Sequence, residues 1–174
     1  MIGSAGRFVV GSSVLCFVSL ISVPSAKAGE PLEGFLHGML EGCEYTESHW
    51  DFLRSIANPH FEGSPLIYPD VAGVTFGELK VEDDDGLITL TVPVMSMWRG
   101  LLVTHIGLEA MWETGVHVST VTFGQSEDQA LAVLGADVAR SNKLIQEWDD
   151  LDGGFSAGIT AHRGRGVLYC DLST

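Results

Sequence analysis

The chain has 174 residues, 45% of them hydrophobic, and sets 9 Lys and Arg against 23 Asp and Glu for a formal net charge of −14. That balance argues against nucleic acid, whose phosphates reward basic surfaces, and against anionic lipid. It suits basic partners, because complementary fields speed encounter.

Residues 1–28 have the three parts of a secretory signal peptide in order. Arg7 supplies the positive start, residues 8–23 are apolar or small, and Pro24 precedes an Ala26-Lys27-Ala28 site of small residues. The apolar stretch is shorter than the roughly 20 residues a membrane-spanning helix needs. Bulky Val14 and Leu15 also argue against a lipid anchor at Cys16. Cleavage after Ala28 is therefore expected, with no membrane span left behind. The leader takes away Arg7 and Lys27 and no acid, so residues 29–174 carry −16. Their length suits a single domain, placed by the leader in the periplasm or outside the cell.

Two cysteines follow the leader, Cys43 and Cys170. In an oxidising compartment a pair of this kind forms a disulfide, and this one would close a long loop.

Leu32, Phe35, Leu36, Met39, Leu40 and Cys43 fall on one face of an amphipathic helix. A second helix is predicted over residues 46–57, capped by Thr46 or Ser48, with Trp50, Leu53 and Ile56 inward and Asn58-Pro59 as its stop. Residues 60–71 form a loop. The period then changes to two: Val74 and Phe76, a parity shift at Gly77, then Leu79 and Val81. Asp85-Gly86 turns the chain into a return strand carrying Ile88, Leu90, Val92 and Val94. A second hairpin spans residues 101–123 around Glu113-Thr114-Gly115.

Ser126 and Gln129 make a capping box for a helix with Ala130, Leu131, Leu134 and Val138 inward. Gly135 is a point of kink, with continuation through Leu144, Ile145 and Trp148. After a turn at residues 149–154, a third hairpin runs to Leu172 around residues 163–166. The fold class is α+β: an antiparallel sheet of about six strands in three hairpins, with two N-terminal helices and a later helix packed on one face. Leu168 and Cys170 share a face of the last strand. A Cys43–Cys170 bridge would then join two inward faces.

No motif calls for a cofactor or a metal. Asp83-Asp84-Asp85-Gly86 lacks the alternating ligands of an EF-hand, so it is a solvated turn. His105 and His117 lie on paired strands. A two-residue turn at Glu113-Thr114 sets His105 opposite Thr122 and His117 opposite Ala110, roughly 17 Å apart along the ladder at 3.4 Å per residue, too far to share an ion. A free Cys43 beside His49 would be the pair to test for thiol catalysis, but a bridge consumes the thiol.

Two groups remain as possible binding residues. Arg163 and Arg165 sit on a glycine-rich tip that could hold a carboxylate or phosphate. Trp98 and Arg99, after Met95 and Met97, stand where two strands change over and could form an apolar rim. The resulting expectation is an exported, acidic binding protein rather than an enzyme, of the inhibitor or immunity type, with a basic protein of the envelope as partner. The rival readings are a small hydrolase using an acidic pair and a carrier of a small apolar ligand.

Overall fold

A computed structural model describes residues 30–61, 65–111, 113–147 and 154–174. Residues 1–29, which include the expected leader, and Trp148 lie outside the described residues, as does most of the turn at 149–154.

The order is α1 (Glu33–Leu36), a 3₁₀ turn (His37–Leu40), α2 (Glu47–Phe61), β1 (Lys80–Asp84), β2 (Leu87–Trp98), β3 (Leu101–Met111), β4 (Val116–Phe123), α3 (Glu127–Gln146), β5 (Ser156–His162) and β6 (Arg165–Asp171). The strands form one six-stranded antiparallel sheet in the order β1-β2-β3-β4-β6-β5. This is the α+β architecture expected from the periodicities.

One face of the sheet makes the core. Ile88, Leu90, Val92 and Val94 of β2 alternate inward with Ile106, Leu108 and Ala110 of β3, Val121 and Phe123 of β4, and Leu168 of β6. Against them pack Leu32, Phe35, Leu36, Met39 and Leu40 from the first helical segment, Phe52, Leu53 and Ile56 from α2, and Ala130, Leu134 and Val138 from α3. Burial of this apolar area is the main favourable contribution to folding.

Several local expectations need correction. The first helix is split into α1 and the 3₁₀ turn, although its apolar face is buried as expected. The chain reverses immediately afterwards through Gly42 and Cys43, both with positive φ. Gly38 packs so tightly on this reversal that a Cβ there would run into the Glu44 backbone.

Thr46 caps α2, its Oγ1 accepting from the His49 N–H at 3.3 Å. The helix runs past Asn58-Pro59 to Phe61. A proline in the last turn already has a helical φ and forfeits one hydrogen bond, which shortens a helix without halting it at once. The buried stripe of α2 is His49, Phe52, Leu53 and Ile56, while Trp50 is 40% exposed.

The strand predicted from Val74 shrinks to an isolated bridge, Phe76 to Val94, ahead of β1. Pro93 has no N–H for a ladder, and its carbonyl instead accepts from the Gly77 N–H at 2.8 Å. Gly77 lies against the Pro93 ring, 3.1 Å from where a Cβ would sit. Helix α3 has its full capping box and continues unbroken through Gly135, but Leu131 is 41% exposed. The last turn is Arg163-Gly164 alone, both with positive φ as a two-residue hairpin requires. Arg165 and Gly166 thus belong to β6.

Cys43 and Cys170 are bridged, with Cα atoms 5.8 Å apart and both residues buried. The bond ties the chain reversal after the 3₁₀ turn to the inner face of β6. Among the described residues, no helix is long and apolar enough to cross a membrane.

Candidate binding site on the uncovered face of the sheet

The helices pack on the core face, and the strand registers define what the other face presents. Lys80 pairs with Thr91, Thr91 with Gly107, Gly107 with Thr120, Thr120 with Tyr169 and Tyr169 with Gly158, one row across all six strands. A neighbouring row holds Glu82, Thr89, Glu109 and Val118. On the other side lies a row of Pro93, His105, Thr122, Val167 and Thr160, followed by the His162–Arg165 pair that closes the last hairpin.

These rows enclose an open hollow of about 630 Å³. Gly107 marks its floor. A Cβ at that position would stand 2.7 Å from the Leu90 carbonyl oxygen, 3.0 Å from Thr120 Oγ1 and 3.1 Å from Thr91 Cγ2. The neighbouring strands approach so closely there that a Cβ would force the backbone of β2 to shift. The Tyr169 ring lies over Gly158, in the space that a Cβ of residue 158 would occupy.

The lining is mixed, with Val118, Ala161, Val167 and Tyr169 set among its polar and charged residues. Thr89, Thr91, Thr120, Thr122 and Thr160 line the hollow, and among the described residues their hydroxyls make no hydrogen bond to protein groups. Of the seven Lys and Arg after residue 28, Lys80, Arg163 and Arg165 line it too. None of these three forms an ion pair among the described residues, in contrast to Arg99 and Arg140 on the helical side. His105 lies beside these cations as a neutral ring. Its pKa is held below the usual histidine range, first by burial and then by the positive charges of Arg165 and Lys80. Glu82 and Glu109 are the carboxylates of the lining.

The sequence-derived candidates divide between the two faces. Arg163 and Arg165 belong to this hollow. Trp98 and Arg99 do not: Trp98 is fully buried against Phe123, and its indole N–H donates to Glu33 at 2.8 Å. Arg99 is bound by Glu33 and Asp137. The expected rim is half present, with Met95 and Met97 exposed and Trp98 turned into the core.

His105 pairs with Thr122 and His117 with Ala110, as the turn length requires. His105 faces the hollow, while His117 stands on the core side with its ring centroid 6.0 Å from that of Trp50. Cys43 has no thiol to offer His49. That histidine is itself fully buried, its ring centroid 4.8 Å from that of Phe35 and 5.0 Å from that of Tyr45.

Lys80, Gly107 and Tyr169 are members of the site that the sequence does not single out. The available signal is weak but real. Thr89 and Thr91, then Thr120 and Thr122, alternate with the apolar stripe of the same strands, marking a polar face opposite the core. A second groove, of about 890 Å³, runs between α2 and residues 65–72, lined by Phe35, Phe52 and the exposed Ile67 and Tyr68. Comparison with protein-family models, with curated proteins and with solved structures finds no match for this chain.

Proposed function

We propose that this protein is a binding protein of the periplasm or the extracellular medium, and that it works through the uncovered face of its sheet. What supports the reading is a hollow lined by Lys80, Arg163 and Arg165, none of which forms an ion pair among the described residues, in a chain otherwise dominated by acids. Convergent polar groups in a concave, largely preformed surface are the usual mark of a ligand site. The buried disulfide suits an oxidising compartment, in agreement with the leader.

The test is a thermal-shift screen against sugars, sugar acids, amino acids and short peptides. It is repeated on Thr91→Tyr, which fills the hollow from one wall while keeping a strand-forming residue. A stabilising ligand whose effect vanishes in the variant is expected. Ligands that act equally on both proteins would move the site elsewhere, the groove beside α2 being the first alternative.

A second reading rests on the exposed strand β1 and its turn, where Glu82, Asp83, Asp84 and Asp85 stand in succession. Such a tip suits a basic protein partner, as an inhibitor or immunity-type protein would have. The partner would seat on this tip and the acidic surface around it, not in the cationic hollow. Complex formation would then weaken steeply with salt, and salt-independent binding would count against it.

A third reading keeps Glu82 and Glu109 as an acidic pair for hydrolysis. They face one hollow from strands two apart, about 10 Å between backbones at the usual strand spacing. Glycosidase activity that is lost in both Glu82→Gln and Glu109→Gln would favour it over binding.

A further inference from the structure

We infer that the hollow takes a small hydroxylated anion of the sugar-acid class, its carboxylate bound by Arg165 in the field of Lys80 and its hydroxyls by the threonines. This rests on the proposal that the uncovered face is the binding surface, and it adds the sign and chemistry of the ligand.

The first argument is the fate of the cations. Arg99 donates to Glu33 and Asp137, and Arg140 to Glu41 and Asp137, so two of the four cations on the helical side are held internally, while Arg54 and Lys143 form no ion pair among the described residues. Lys80, Arg163 and Arg165 make no ion pair among the described residues, though the chain carries 23 acids. Three such cations outnumber the two carboxylates of the lining, Glu82 and Glu109, which favours an anionic ligand, and a guanidinium fits a carboxylate through two parallel hydrogen bonds. Burial first, and then the positive charges of Arg165 and Lys80, hold the pKa of His105 down in the same hollow.

The second argument is the floor. Thr91 and Thr120 flank Gly107 in one row, with Thr89 and Thr122 in the adjoining rows. Each hydroxyl both donates and accepts, so a run of them without protein partners among the described residues matches a ligand carrying several hydroxyls better than an apolar one. Tyr169, in the same row, offers a ring against which the C–H face of a sugar can pack. A simple inorganic anion would use the cations and leave this floor unused.

The test is calorimetric titration of the disulfide-bonded protein with D-glucuronate, D-glucose, glucosamine and inorganic phosphate, with amide shifts followed by NMR. Saturable binding of glucuronate is expected, with shifts at Thr91, Gly107, Thr120 and Arg165. Glucose should bind at least tenfold more weakly. Arg165→Gln and Lys80→Gln should each weaken glucuronate on the order of tenfold, while near-ultraviolet circular dichroism verifies that both fold. Phosphate binding as tightly as glucuronate would reduce the site to an anion site and overturn the sugar component. Glucosamine binding more tightly than glucuronate, with shifts at the same residues, would overturn the sign of the ligand yet leave the face as the binding surface. Absence of shifts on these residues with every probe, while a screened ligand perturbs residues around α2, would overturn both proposals.

Discussion

Arg99 donates through Nη2 and Nε to the two carboxylate oxygens of Glu33, at 2.7 and 3.2 Å. Its third arm reaches Asp137 at 2.6 Å, so one side chain ties the β2–β3 turn to both α1 and α3. Glu30 accepts from the backbone N–H groups of Arg99 and Gly100 at the same turn. Arg99 has a positive φ, as does Gly100, which a two-residue hairpin turn demands. Backbone need and ionic need therefore fall on one residue.

The two are separable. Arg99→Asn keeps a residue that tolerates the left-handed turn and removes the ion network, whereas Arg99→Ala removes both. Asparagine should cost about 1 kcal/mol, because Glu33 remains 39% exposed and water screens the pair; alanine should cost about 1 kcal/mol more. Urea unfolding of both variants checks this. Equal losses would mean that the turn conformation is immaterial.

The same contact has a pH signature. Hydrogen bonding to Arg99 is the largest influence on Glu33 and holds its carboxyl below the ordinary 4.5. The contribution is therefore complete above that value and is lost as pH falls through the lower folded-state pKa. Glu33→Gln should flatten part of the stability loss below pH 4.5 and leave the slope above pH 6 unchanged.

His49 acts in a different window. Full burial pushes its pKa down from 6.5 to about 3, and neither ring nitrogen has a hydrogen-bond partner among the described residues. The unfolded chain binds the proton more readily, so stability rises with pH between about 3 and 6.5 and is complete above that range. His49→Leu leaves no unpaired buried nitrogen among Phe35, Tyr45 and its other neighbours. It should match or exceed the parent at pH 7, by up to about 2 kcal/mol, and should reduce the stability loss between pH 6.5 and 4. Denaturant midpoints at pH 7 and pH 4.5 decide it. An unchanged difference between the two would show that the imidazole is protonated or solvated in the folded protein.

Much of this fold is legible in the sequence, for particular reasons. The pairing of His105 with Thr122 follows from turn length alone, since a two-residue loop leaves an antiparallel strand one register. The disulfide follows from inward parity at Cys170 and from apolar spacing up to Cys43, although Cys43 reaches the core through a left-handed reversal after the helix ends. Trp50 shows where spacing fails. Trp50-Leu53-Ile56 and His49-Phe52-Leu53-Ile56 are both helical stripes, and a bulky aromatic outranks a histidine on hydrophobicity, yet the histidine is inside. The hollow is the least legible feature. It depends on five strand registers, two of them shifted by bulges between Pro93 and Ser96 and between Val103 and His105. A bulge changes which residues share a face, and alternation within one strand does not reveal it.

The disulfide should matter chiefly through the unfolded chain. Its cysteines are 127 positions apart, and closing a loop of that order is worth roughly 4–5 kcal/mol in the chain-entropy account. Cys43→Ser with Cys170→Ser should lose much of that, and reduction of the parent should shift its denaturant midpoint in the same direction. A midpoint insensitive to reductant would mean that core packing alone holds the chain reversal at Cys43 against β6.

Asn142 carries the last prediction. Its side-chain amide donates to the Ala157 carbonyl at 2.7 Å and accepts from the Ala157 N–H at 2.9 Å. It thereby supplies to the outer edge of β5 the pair of bonds that a neighbouring strand would make. At the opposite edge, β1 is guarded differently, by the charges of Lys80, Glu82, Asp83 and Asp84. From Ser156 to Ala161, β5 has no charged side chain, and unguarded edges invite pairing with another chain. Asn142→Ala should therefore have two consequences that separate in measurement. Thermal unfolding should register a loss of about 1–3 kcal/mol from the exposed Ala157 groups. Light scattering at rising protein concentration should register association that Asn142→Asp, which keeps an acceptor and adds charge at the edge, suppresses. Destabilisation without association would confine Asn142 to anchoring α3 on β5, and association of both variants alike would place the contact elsewhere on the surface.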